Sequence, residues 1–268
     1  MSISEPTLPG DAYPAPIDGR SRRVLIVVPA FNEEGSVGAV VAEIRECLPD
    51  ATVLVVDDAS IDRTRQRALE QGASVLTLPF NLGVGGAMRA GFRFAQRNGF
   101  DQVVQVDGDG QHDPRQVPLL LAALTTADVV IGARFAGVGS YEVRGPRKWA
   151  MWLLSHTLSR VTKTRLTDTT SGFRAANARA IDLFARHYPA EYLGDTVESI
   201  VISARAGLTV RQVPVTMRLR AAGRPSQPPW RAMLYLVRAC IALCFAGMRW
   251  RSTDGIRTPE PVTTAVKR

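Results

Sequence analysis

At 268 residues and 29.1 kDa the chain is long enough to bury a full core, as one large α/β domain or two small ones. Hydrophobic residues make up 46% and charged residues 22%, which excludes wholesale disorder and a multi-span membrane bundle. The net charge of +8 is uneven: residues 201–268 carry twelve Lys or Arg against Asp254 and Glu260, a net of +10, and residues 1–200 are left at −2. The basicity therefore belongs to one end, which argues against a nucleic-acid partner and for an anionic surface near the C-terminus.

Residues 1–22, with Pro6, Pro9, Pro14 and Pro16 and no continuous apolar run, read as a disordered leader without a signal-peptide core. From Arg23 onward short β-branched runs alternate with helix-friendly stretches. Strands are predicted at Val24–Val28, Val53–Val56, Ser74–Leu78, Gln102–Val106 and Asp128–Ile131, with helices near 36–48, 62–71, 84–97 and 114–124. This order predicts an α/β domain over 23–228 with a mostly parallel central sheet covered on both faces, whose ligands bind beyond the carboxyl ends of the strands. After Ile131 a Gly-rich loop is predicted over 132–145, then a helix over about 147–161. A polar stretch from Thr167 to Arg174, a helix near 194–206, a strand near 208–215 and a last helix within 229–251 follow. Residues 252–268 read as a disordered tail. Cys47, Cys240 and Cys244 form no CxxC pair and no metal-ligand spacing; Cys240 and Cys244, one helical turn apart in an apolar stretch, are expected as buried thiols, and a reducing, cytoplasmic setting is inferred.

Four polar clusters fall at predicted strand ends. Asp107-Gly108-Asp109 follows an apolar strand with two carboxylates two residues apart, a pattern that suits a hard cation, Mg²⁺ or Mn²⁺, held by one or two carboxylates and substrate phosphates. Gly108 lets the backbone approach a ligand, and Gln111 and His112 are placed to extend the shell. By itself D-x-D is equally the mark of a capped loop. Asp57-Asp58-Ala59-Ser60-Ile61-Asp62 repeats the plan: its carboxylates suit a base or ribose, and Asp58, Ser60 or Asp62 also suits a helix cap. Asn81-Leu82-Gly83-Val84-Gly85-Gly86 is not G-x-G-x-x-G and follows the third strand, which disfavours a dinucleotide site; its glycines serve either a close donor approach or tight helix packing. Pro29-Ala30-Phe31-Asn32-Glu33-Glu34 is the fourth.

Taken in order, P-A-F-N-E-E, V-V-D-D-A-S-x-D, N-x-G-x-G-G-A and D-G-D-G-Q-H resemble the family 2 glycosyltransferases, in particular their polyprenyl-phosphate, dolichol-phosphate mannosyltransferase-like branch. Gly132-Ala133-Arg134-Phe135, Asp168-Thr169-Thr170-Ser171-Gly172-Phe173-Arg174 and Arg220-Ala221-Ala222-Gly223-Arg224-Pro225-Ser226 agree, so the resemblance covers roughly residues 23–226. It implies a GT-A, Rossmann-like nucleotide-binding fold for residues 23–228. It implies that Pro29, Ala30, Asn32, Glu33, Asp57, Asp58, Asn81, Gly83, Asp107 and Gly108 cradle a UDP- or GDP-sugar, and that Asp107, Asp109 and Gln111 manage Mg²⁺ or Mn²⁺. Arg134, Arg147, Lys148, Ser171 and Arg174 would hold an acceptor phosphate, with Asp109, Asp168 and Arg174 carrying the catalysis and Asp168 nearest the reacting centre. Asp195 is a weaker rival for that place.

The implied reaction is inverting transfer of the sugar to a polyprenyl phosphate. Its alternatives are transfer to a soluble phosphorylated metabolite or a glycan hydroxyl, and a non-catalytic nucleotide sensor. In the last predicted helix Arg231, Arg238 and Arg249 fall within about 20° of one direction, with the remainder apolar and a Trp at each end. Its longest charge-free run, 239–248, is short of the ~20 residues a span requires. An amphipathic interfacial helix is expected, on an anionic membrane or against protein, possible self-association included, which places the protein peripherally at the cytoplasmic face of the membrane.

Overall fold

A computed structural model describes residues 22–134, 155–189 and 194–218 of the chain. Their elements are β1 (Val24–Ala30), α1 (Val37–Cys47), β2 (Thr52–Asp57), α2 (Thr64–Glu70), β3 (Ser74–Thr77), α3 (Gly83–Arg97), β4 (Gln102–Gln105), α4 (Val117–Ala123) and β5 (Val129–Arg134). Then come α5 (155–162), β6 (Arg174–Asn177), α6 (Ala178–His187), α7 (Gly194–Arg205) and β7 (Val210–Val215). The seven strands form one sheet in the order β3-β2-β1-β4-β6-β5-β7. Only β6 runs against its neighbours; the other pairings are parallel.

The reason for this arrangement is visible in β1, whose seven residues are all buried. A strand covered on both faces has no polar side to show, so it reads as a continuous apolar run. Successive side chains alternate between faces. Leu25, Val27, Leu54, Val56 and Val103 pack beneath α3 and α6 with Met88, Phe92 and Phe184. Val24, Ile26, Val28, Val53, Val55 and Val104 pack on the other side with Val37, Val41, Ile44, Leu120 and Leu121 of α1 and α4. Between α3 and α6 the rings of Phe92, Phe184 and Tyr188 lie 5.1–5.2 Å apart, centroid to centroid. Gly91 lets α3 lie close on β1, because a Cβ there would fall 2.6 Å from Val27 Cγ1.

The five strands expected before residue 135, the four helices between them and the strand near 208–215 are present, and the sheet is mostly parallel as expected. Two expectations are corrected. The Gly-rich loop does not begin at Gly132: β5 runs on to Arg134, because Gly132, Ala133 and Arg134 pair in register with Val213, Pro214 and Val215 of β7. The short strand β6 and helix α6, absent from the sequence reading, lie between β4 and β5 in the sheet and against α3. The predicted helix over 114–124 opens with a 3-10 turn, Pro114–Gln116, whose N-cap Asp113 accepts the Arg115 N–H. Arg147, Lys148, the motif 220–226, the helix within 229–251, the leader and the tail lie outside the described residues. Among the described residues no helix is long and apolar enough to cross a membrane.

Candidate active site

Because β1, β2, β3 and β4 are parallel, their carboxyl ends gather the clusters singled out in the sequence along one edge. The segment after β1 is stapled to the segment after β2. Asn32 N–H donates to Ser60 Oγ (2.9 Å), Asn32 Oδ1 accepts from Ile61 N–H (3.0 Å), Glu33 N–H donates to Thr64 Oγ1 (2.8 Å) and Glu34 N–H to Asp62 (3.2 Å). Asn32 adopts φ +54°, a left-handed conformation that Asn tolerates better than most residues. Asp57, buried at the end of β2, accepts the Ser60 N–H at 3.0 Å.

Of the acidic residues here, one serves the helix that follows and another a later one. Asp62 accepts the Thr64 N–H at the start of α2. Asp58 spends both oxygens on the start of α3, from Leu82 N–H (2.7 Å) and Gly83 N–H (2.8 Å), where Asn81 Oδ1 also accepts from Gly83 (3.1 Å). Burial pushes the Asp58 carboxyl above its ordinary pKa; the two N–H groups pull against that and the neighbouring Asp57 adds to it. Gly83, at φ +75°, makes the turn into the helix.

The Asp107-Gly108-Asp109 turn directly follows β4. Gly108 sits against β1: a Cβ there would stand 3.4 Å from the Pro29 carbonyl oxygen and 3.6 Å from Ala30 Cβ. Asp107 is about one-third exposed at its side chain. Its Oδ1 accepts from Gln105 Nε2 at 2.9 Å, and its N–H donates to His112 Nδ1 at 3.0 Å. An accepting Nδ1 puts the imidazole proton on Nε2, 3.6 Å from Asp107 Oδ2. His112 is buried and stacked on Phe173, centroids 4.8 Å apart. It therefore props the turn from beneath. Asp109 is buried and accepts the Gln111 N–H at 3.0 Å.

The segment 163–173, without regular secondary structure, closes over this turn. A Cβ on Gly172 would lie 3.0 Å from Gln105 Nε2 and 3.1 Å from Asp107 Oδ2, so the Ser171-Gly172-Phe173 backbone rests directly on the Asp107 carboxylate. Asp168 is buried and accepts from Thr170 Oγ1 at 3.1 Å. Arg174 is buried too, and its guanidinium donates to Ser171 O (2.8 Å), Thr169 O (2.9 Å), Thr196 O (2.7 Å) and Ser199 Oγ (2.8 Å). With four of five N–H donors engaged in this way, the side chain braces the 169–171 backbone against α7. Reaching an acceptor phosphate would require exchanging some of those bonds.

The structure thus brings together Pro29, Ala30, Asn32, Glu33, Asp57, Asp58, Asn81, Gly83, Asp107, Gly108, Asp109, Gln111, Asp168, Ser171 and Arg174 at the carboxyl edge of the sheet or in the segment lying over it. Arg134 ends β5. Three supporting residues escaped the sequence reading: Gln105, Gln212 and Arg218. Arg218 pairs with both oxygens of Glu43 (2.8 and 2.9 Å) and with Asp113 (2.7 Å), while its N–H holds the Gln111 carbonyl and Met217 bridges to His112. These bonds tie residues 216–218 to the back of the turn. Nothing in their local pattern marks Gln212 and Arg218, whose partners Asp168 and Glu43 are 44 and 175 residues away, and Gln105 acts on Asp107 two residues on.

Among the described residues no cluster of three or more His, Cys, Asp or Glu could hold a metal by itself. Two oriented carboxylates on one tight turn are nevertheless the donor set of an ion that takes one or two carboxylates and completes its shell with phosphate oxygens and water, so the residues fit Mg²⁺ or Mn²⁺.

Comparison with known proteins agrees with this geometry. The family description Glycosyl transferase family 2 matches residues 25–184. The chain is 36% identical over 242 residues to undecaprenyl-phosphate mannosyltransferase of Micrococcus luteus, across 85% of this chain and 98% of that protein. It is 30% identical over 170 residues to polyprenol monophosphomannose synthase of Mycolicibacterium smegmatis, across 60% of this chain and 64% of that one. Among solved structures, glucosyl-3-phosphoglycerate synthase of Mycobacterium tuberculosis with Mg²⁺ and UDP superposes with TM-score 0.60 at 26% identity, covering 84% of this chain and 79% of that one. Its complex with Mn²⁺, UDP and phosphoglyceric acid gives 0.62 at 24% identity, over 84% and 78%, a likeness of fold. The fold is GT-A-like, and the chain is a member of glycosyl transferase family 2, in its polyprenyl-phosphate glycosyltransferase branch.

Proposed function

We propose that the protein transfers a sugar from a UDP- or GDP-sugar to a polyprenyl phosphate, inverting the anomeric carbon. The observation that carries this reading is the Ser171-Gly172 backbone resting on the Asp107 carboxylate, which sets the segment 168–174 against the turn proposed to hold the donor diphosphate. The relative spanned over 98% of its length, named an undecaprenyl-phosphate mannosyltransferase, supports a lipid-phosphate acceptor.

In this reading Pro29, Ala30, Asn32, Glu33 and Asp57 line the nucleotide. Asp58, Asn81 and Gly83 contribute by fixing the start of α3. Asp107 and Asp109, with Gln111, would hold Mg²⁺ or Mn²⁺, which when bound supplies positive charge to the diphosphate oxygens. Arg134, Ser171, Arg147 and Lys148 are assigned to the acceptor phosphate, and Arg174 to bracing the segment that presents it. A phosphate monoester, with a second pKa of about 6, is largely dianionic at neutral pH and needs positioning more than deprotonation. Its oxygen attacks the anomeric carbon from the face opposite the diphosphate. The bond from that carbon to the diphosphate oxygen breaks, and its electron pair leaves with the nucleoside diphosphate. Asp168 is assigned to orienting the reacting groups. The membrane is approached peripherally, through the basic, amphipathic segment within 229–251.

A thermal-shift panel of UDP- and GDP-sugars with Mn²⁺ tests donor use, because a ligand that binds only the folded state raises its melting temperature. One nucleotide class is expected to stabilise the protein in a Mn²⁺-dependent way that D109A abolishes. Stabilisation by none of them would overturn the donor reading.

A further inference from the structure

Asp168 lies in a segment without helix or strand, so something other than backbone pairing must fix it. On its α7 side, Arg174 takes the carbonyls of Thr169 and Ser171. On the other side a single side chain does comparable work. Gln212, in β7 opposite Ile131 of β5, accepts the Thr167 N–H at 2.7 Å and donates its Nε2 to the Asp168 carbonyl at 2.6 Å. The Thr167 hydroxyl adds a third contact at 3.2 Å. One amide thus satisfies the N–H of Thr167 and the C=O of Asp168 together and pins the backbone on either side of the Asp168 Cα.

We infer that Gln212 is a positioning residue for the transfer reaction, holding Asp168 in register with the Asp107 turn. The inference rests on the proposed role of Asp168. The chain of contacts is continuous: β7 carries Gln212, Gln212 fixes Thr167 and Asp168, Arg174 fixes Thr169 and Ser171, and Gly172 lands on Asp107. Release of the first hold frees Asp168 to shift while the donor turn, held separately by Gln105 and His112, stays in place. The expected signature is therefore a loss in kcat with donor binding kept. A misplacement of about 1 Å costs up to roughly 10²-fold in rate.

The test compares Q212M, which keeps the side-chain length and loses both hydrogen bonds, Q212E, which keeps the acceptor for Thr167 N–H and loses the donor to Asp168, and D168N. Each is assayed in the full-length protein with undecaprenyl phosphate and the nucleotide sugar that stabilises it. Q212M and Q212E are expected to lower kcat about 10- to 100-fold, with the donor KM within about twofold and the melting temperature within about 3 °C of wild type. D168N is expected to lose most turnover. Wild-type kcat in Q212M together with an inactive D168N overturns the positioning role and leaves the Asp168 reading standing. A loss in Q212M accounted for wholly by a raised donor KM also overturns it. Full turnover in D168N refutes the reading of Asp168 itself.

Discussion

Replacing Gly172 by Ala probes the contact on which the site is built. The backbone there lies outside the left-handed region, so the substitution carries no conformational penalty of its own. The added methyl would sit 3.0 Å from Gln105 Nε2 and 3.1 and 3.4 Å from the two Asp107 oxygens, against ordinary contacts of 3.4–4 Å. Either the carboxylate or the amide must retreat by a few tenths of an ångström, and the 2.9 Å bond between them is strained or lost. Hydrogen bonds to charged groups contribute about 1.5–3 kcal/mol, and a partial loss of about 1.4 kcal/mol is tenfold in affinity. Titration calorimetry of Mn²⁺ with UDP or GDP is expected to show about tenfold weaker binding. Stability should change little, since Gly→Ala also restricts the unfolded chain by about 0.4–1 kcal/mol. Metal-nucleotide binding within twofold of wild type would refute the claim that Gly172 rests on a metal-binding Asp107.

Three further outcomes follow from the same bonds. D58A strips the acceptor from two N–H groups at the start of α3. It should cost about 1–2 kcal/mol, or roughly 2–8 °C in melting temperature by scanning fluorimetry, with D58N recovering only part of it, since the amide keeps one acceptor oxygen for two N–H groups. Asp128 faces two opposing influences: burial raises its carboxyl pKa, but hydrogen bonds from Thr209 and Asn177, with the Arg179 charge, outweigh burial and hold it below the usual range. Its stabilisation is thus present above the ordinary carboxylate pKa of about 4 and lost as pH falls through the lowered folded value, so the wild-type and D128N stability curves should separate at neutral pH and converge as the solution is made acid enough to protonate the folded carboxyl. R218A breaks the pairs to Glu43 and Asp113; with Arg218 one-third exposed, screening limits the cost to about 1 kcal/mol, and the melting difference should shrink in 0.5 M salt. A salt-independent difference would contradict the ionic account.

The parallel half of the sheet was legible because β1, β2 and β4 are buried on both faces and must be continuous apolar runs. The strand β6 was not: Arg174-Ala175-Ala176-Asn177 has no strand propensity, and its conformation is imposed by pairing with β4 on one side and β5 on the other. Helix α6 did carry a signal, in Asn177 accepting the Ala180 N–H and in Ala180, Ile181, Phe184 and Ala185 at helical spacing. In the site, spacing identified the carboxylates but not their division of labour. Asp57 and Asp58 are neighbours in sequence; only the fold shows that Asp58 is committed to α3, because its partners Leu82 and Gly83 arrive from the next strand end. Arg174 was readable as a functional arginine, but not as one turned onto the carbonyls of its own loop. Gln105, Gln212 and Arg218 lie in or beside strands, where nothing local distinguishes them from ordinary sheet residues.

The central claim is that sugar passes to a lipid phosphate. The protein incubated with radiolabelled nucleotide sugar, Mn²⁺ and undecaprenyl phosphate, followed by organic extraction, tests it most directly. Label is expected in the organic phase, dependent on the lipid and abolished by D109A. Label confined to the aqueous phase, with the donor consumed, would contradict the account.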